Sequence, residues 1–117
     1  MKRDWDLIKK ILLEIEQDTT DPMNFVQLSI EGYEDLTIDC HIRLLGEAGL
    51  VHVTSRSTMK GTIYQCTSLT WDGHEFLDLA RNDTVWRRVM SKIGNVGGTV
   101  GIGTLTDLLK NAITDLL

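Results

Sequence analysis

Positive charge, cysteine and long apolar runs are all scarce in this chain, and each shortage removes a class of function. Lys and Arg number 12 against 17 Asp and Glu, a formal net charge of −5 at pH 7. Duplex-binding proteins draw much of their affinity from phosphate contacts. Any such contact here must therefore come from a local basic patch. The two cysteines, Cys40 and Cys66, form no CxxC pair, and with no export signal they are expected as reduced thiols rather than a disulfide. No apolar run approaches the roughly 20 residues that cross a bilayer. The opening residues include Lys2, Arg3, Asp4 and Asp6, which predicts no secretory apolar region. The expected setting is cytoplasmic, bacterial or phage, with no membrane partner.

What remains is the material of a small globular protein. With 117 residues, 42% of them hydrophobic, the chain is long enough to bury a core without staples. Ile8, Ile11, Leu12 and Ile15 recur at i, i+3, i+4 and i+7, predicting an amphipathic helix over 4–18. Asp4 or the residue before it caps that helix, and Thr19-Thr20-Asp21-Pro22 ends it. Phe25, Val26, Leu28 and Ile30 suggest a short extended segment. A second helix is expected over 34–48, burying Ile38, Ile42, Leu45 and Ala48, with Gly49 as its C-terminal stop. Val51 and Val53 on one side, and Thr62, Ile63, Tyr64 and Cys66 on the other, flank the polar run Ser55–Gly61 and predict a hairpin with a loose tip. Thr70 caps a helix over 71–82, and Asp83 caps another to about Ile93, the two separated by a kink or a break. Gly94, Gly97, Gly98, Gly101 and Gly103 mark residues 94–103 as a linker. The predicted class is α+β, mostly α: a winged helix-turn-helix-like domain over 1–93 with a β-hairpin wing and additional C-terminal helices. Residues 104–117 form a last amphipathic helix for docking or oligomerisation.

Chemistry is hard to place on this frame. A phosphate loop needs Lys and then Ser or Thr after its last glycine, but Gly103 is followed by Thr104 and Leu105. Gly101-Ile102-Gly103 lacks the third glycine of a dinucleotide fingerprint. Cys40, His41, His52, Cys66 and His74 form no ligand pair at zinc-binding spacing, and no flank resembles that of an activated nucleophile. The expectation is therefore no catalytic residue, no cofactor, no metal and no enzyme.

Recognition fits better. In a helix-turn-helix variant the second paired helix enters the major groove. Here that helix is 34–48, with Thr37, Cys40, His41 and Leu44 expected to face outward and Thr37, His41 and Arg43 as groove contacts. Residues 31–49 nevertheless carry Glu31, Glu34, Asp35, Asp39 and Glu47 against Arg43, a balance of −4 that repels phosphate. Residues 50–68 hold Arg56, Lys60 and His52 and no acidic residue. Double-stranded DNA would thus be gripped by the wing, with Arg87 and Arg88 as further contacts. Along the last helix, Leu105, Leu108, Leu109, Ala112, Ile113 and Leu116 form an apolar face that must cover the chain's own core, a second copy or a partner.

Several runs are similar to one family. They are Met1-Lys-Arg-Asp-Trp-Asp-Leu-Ile-Lys-Lys-Ile-Leu-Leu-Glu-Ile-Glu16, Ile30-Glu-Gly-Tyr33, His41 to Val51, and Leu69-Thr-Trp-Asp-Gly-His-Glu-Phe-Leu-Asp78 with Asp83-Thr-Val-Trp86. Their order resembles the bacterial and prophage family known as domain of unknown function 2513, over most of residues 1–93. The resemblance implies a winged-helix fold and assigns no activity. The leading expectation is a non-enzymatic DNA-binding regulator. The competing one is a protein-interaction module without nucleic-acid binding, and a homodimer through the last helix is compatible with either.

Overall fold

The first helix, α1 (Trp5–Asp18), forms where the apolar spacing demands it, in a computed structural model that describes residues 2–19, 21, 24–96 and 100–117. Trp5, Leu7, Ile8, Ile11, Leu12 and Ile15 are buried along one face, each gaining roughly 1.5–3 kcal/mol from leaving water. The Asp4 carboxylate accepts the Leu7 N–H at 3.1 Å and so satisfies an orphan donor of the first turn. Thr19 closes the helix as its C-cap, its N–H returning to the Ile15 carbonyl. Thr20 and Pro22, also expected to end it, lie outside the described residues.

No helix or strand is assigned among the described residues between Thr19 and Glu34. The expected extended segment is reduced to one antiparallel bridge, in which Val26 N–H donates to the Cys66 carbonyl at 2.8 Å. Helix α2 (Asp35–Glu47) follows and buries Ile38, His41, Ile42 and Leu45. Its stripe differs from expectation at two positions. Ala48 is the exposed C-cap, and His41 takes the buried place. Gly49 adopts φ +78°. Its N–H reaches Gly46 O while Leu50 N–H reaches Leu45 O, the paired closure that an L-residue at this φ would strain.

Strands β1 (Val51–Thr58) and β2 (Gly61–Leu69) form the antiparallel hairpin. Pairing continues to Thr58↔Gly61, so the tip is the two-residue turn Met59-Lys60 rather than a loose loop from Ser55. The Ser and Thr residues there remain compatible with a strand, and the ladder runs through them. One irregularity interrupts it: His52 faces Ser68 and Val53 faces Cys66, leaving Thr67 as the extra residue. Such a bulge bends and twists its strand. The Thr67 carbonyl is taken by the Thr19 hydroxyl at 3.1 Å, which ties the bend to the end of α1.

Helix α3 (Trp71–Ala80) starts on Thr70, whose hydroxyl oxygen accepts the Gly73 N–H at 3.0 Å and donates to Gly49 O at 2.6 Å. A side chain at Gly73 would collide with the Leu50 carbonyl. After a true break at Arg81-Asn82 comes α4 (Asp83–Val96). Its cap is Asn82, which accepts the Val85 N–H at 3.1 Å. Asp83, expected as the cap, is instead the first helical residue. Helix α4 passes Gly94, and α5 (Ile102–Leu116) begins before Thr104. Helix therefore enters the expected linker from both sides, and residues 97–99 at its centre lie outside the described residues.

The described residues are thus mostly helical α+β, with five helices and a two-stranded antiparallel hairpin, consistent with the expected winged-helix-like arrangement with C-terminal helices. Contacts divide the chain into two compact units, Met1–His74 and Glu75–Leu117. In the first, α1 and α2 pack on each other and on the hairpin. In the second, α5 packs on α4, and Phe76 meets Trp86 edge-to-face at 6.5 Å. No described helix is long and apolar enough to cross a membrane.

Candidate recognition surface

His41 decides how α2 is used. Its side chain is 1% exposed. Nδ1 lies 2.8 Å from the Thr37 carbonyl, and Nε2 accepts the Asp4 N–H at 3.0 Å. These partners select the tautomer with hydrogen on Nδ1, since Nε2 must keep its lone pair for Asp4. The surrounding groups reinforce the link between the start of α1 and α2. Burial raises the pKa of the Tyr33 hydroxyl, and the negative charge of Asp4 adds to the shift. The Lys10 ammonium stands over the Tyr33 ring at 5.5 Å. The expected outward position of His41 is therefore corrected: its side chain is buried between the start of α1 and α2.

The other expected contacts scatter. Thr37 is half-buried, and Arg43 is held by Glu47 at 2.8 Å, one helical turn on. Arg56 and Lys60 are exposed on the hairpin and make no ion pair among the described residues. In the ladder Arg56 faces Ile63 while Ser55 faces Tyr64, so alternation puts Arg56 on the face opposite Tyr64. Arg87 and Arg88 are exposed on α4, Arg87 Nε donating to the Asp83 carbonyl at 3.3 Å. On α5, Leu105, Leu109 and Ala112 are buried, Leu108 and Ile113 are half-buried and Leu116 is exposed.

What α2 does present is a mixed apolar and acidic face. Leu36 is 72% exposed, Asp39 and Glu47 are exposed, and Cys40 is half-buried. Between this face and the hairpin lie adjoining hollows that share Tyr64. One of about 250 Å³ is lined by Arg43, Gly46, Glu47, Val53, Ser55 and Tyr64. Another, of about 120 Å³, lies between Leu36, Asp39, Cys40 and Arg43 of α2 and Thr62–Tyr64 of β2. A third, of about 90 Å³, extends beneath Phe25 and Asp39 to Cys66. The helix and hairpin come close here because Gly46 offers no side chain against Val53, whose Cβ would lie 3.0 Å from an added Cβ. Burial raises the pKa of the Asp39 carboxyl, with Asp35 adding to the shift. Burial likewise pushes the Cys66 thiol up to about 11.

Leu36 does not figure among the residues expected from the sequence, and Asp39 and Tyr64 figure only as an acidic helix residue and a strand residue, not as site residues. One signal was available, because Leu36 is an apolar residue outside the 38–42–45 stripe. The hollow itself depends on the path of the hairpin after its bulge, which no residue type announces.

The family described as Hypothetical protein (DUF2513) matches residues 2–99. This chain belongs to that family. A protein of Haemophilus influenzae (strain ATCC 51907 / DSM 11121 / KW20 / Rd) bearing the name "Uncharacterized protein" is 32% identical over 117 residues, covering 100% of this chain and 99% of that one. No solved structure matches. In this DUF2513 protein the chemistry of the hollow carries the functional reading.

Proposed function

We propose that this DUF2513 protein is a non-enzymatic interaction module, acting in the cytoplasm of a bacterium or its prophage, that docks a protein partner between α2 and the hairpin. One observation carries the reading. Where a groove-reading helix would offer polar and basic side chains, α2 offers exposed Leu36 beside Asp39 and Glu47, opening onto Tyr64. Apolar anchors inside a polar rim suit a protein interface, whereas carboxylates on that face repel phosphate. A photo-crosslinking residue in place of Leu36 tests this. The expected product in cells is a discrete protein adduct that disappears when Asp39→Lys is added. Adducts to DNA, or none, contradict it.

The second reading is a DNA-contacting regulator, favoured by Arg56 and Lys60 standing exposed in an acid-free hairpin. It requires binding at low salt that weakens with added salt with a slope of about −2, roughly −0.9 per phosphate neutralised. The double variant Arg56→Glu/Lys60→Glu must then abolish that binding.

A further inference from the structure

We infer that the hairpin tip of one copy seats in the α2–hairpin hollow of a second copy, so that the chain pairs with itself about a two-fold axis. The inference rests on reading the hollow as a protein-binding site and names its occupant.

The chain carries both halves of the contact. Its tip is basic and apolar: Met59 is fully exposed between Arg56 and Lys60, and residues 50–68 contain no carboxylate. Its hollow is acidic and apolar: Leu36 is exposed at one edge, Asp39 forms a wall and Glu47 lines the adjoining hollow. Arg43 is occupied by Glu47, and Asp39 has no ion pair among the described residues. Burial, and then the negative charge of Asp35, raise the pKa of Asp39, so its carboxylate stands partly stripped of water beside a second acid. A lysine from outside would supply one.

The geometry closes on itself. The hollow lies beside the hairpin's own length, lined by Val53, Ser55 and Tyr64, while Met59 and Lys60 form its far end. Two hairpins laid antiparallel place each tip toward the other's hollow. Every contact then occurs twice, as a two-fold interface requires. Self-pairing of this kind covers Lys60 at the tip and so competes with any phosphate contact made there, while Arg56 stays on the opposite face.

Charge exchange tests the pairing. Sedimentation of the wild-type chain at low salt is expected to show concentration-dependent dimers that added salt weakens. Asp39→Lys and Lys60→Glu, both at exposed positions, are each expected to leave a folded monomer. Mixing Asp39→Lys with Lys60→Glu places opposite charges at both contacts of the mixed pair and recovers the dimer. A wild-type chain that stays monomeric at every concentration overturns the inference. If the crosslink from position 36 still captures another protein in that case, the hollow keeps its role and only the second copy is excluded as occupant. Dimers that survive both single variants also overturn it, and their loss in Leu116→Glu would move the interface to α5.

Discussion

Replacing His41 by Phe keeps much of the volume of the ring but removes the acceptor of the Asp4 N–H. A buried donor left unpaired costs about 1–3 kcal/mol, so His41→Phe should lower the urea midpoint by a corresponding amount. A histidine free on the surface would leave it unchanged. Asp39 behaves in the opposite sense. Its native pKa lies above the ordinary 3.8, so the folded chain holds that proton more tightly than the unfolded chain does. The resulting stability is present below 3.8 and is lost as pH rises through the native value. Asp39→Asn should therefore stabilise the isolated chain near neutral pH, and the gain should shrink on acidification below 3.8. The cysteines divide similarly by environment. Half-buried Cys40 should react with a thiol reagent in the folded chain, whereas buried Cys66, with its pKa near 11, should react only on unfolding.

The elements stand on a few backbone positions. Gly73 lies under the Leu50 carbonyl, which also accepts the Thr70 N–H at 3.0 Å. Gly73→Ala should destabilise by roughly 1–3 kcal/mol through overpacking, read as a lower melting temperature. Asn82→Ala should cost about 1 kcal/mol through loss of the α4 cap, whereas Asp83→Ala should not reproduce the loss of a cap hydrogen bond. Helix α1 was legible because its apolar residues are all strongly hydrophobic and fall on one stripe. In α2 the spacing 38, 41, 42, 45 already contained the buried face, but histidine counts as polar and Ala48 took its place in the reading. The hairpin is legible from its β-forming flanks, and its tip differs from expectation because Ser and Thr suit both loops and strands. The bulge at Thr67 left no signature, and with it the direction of the wing and the hollow beside it stayed hidden.

For the whole molecule, charge is segregated rather than merely negative: −4 over residues 31–49 against an acid-free, basic hairpin. This pattern makes association salt-sensitive whichever surface engages, so salt dependence alone does not separate protein from DNA. Accessibility of the hollow does. Cys40 lines it beside Asp39 and Leu36, and buried Cys66 reports in the same sample that the fold is intact. The deciding measurement is the alkylation rate of Cys40 in cells compared with the dilute, isolated chain. Cys40 is expected to be protected several-fold in cells, and Asp39→Lys is expected to abolish the protection. Equal rates for the wild-type chain in the two settings would contradict a protein-filled hollow.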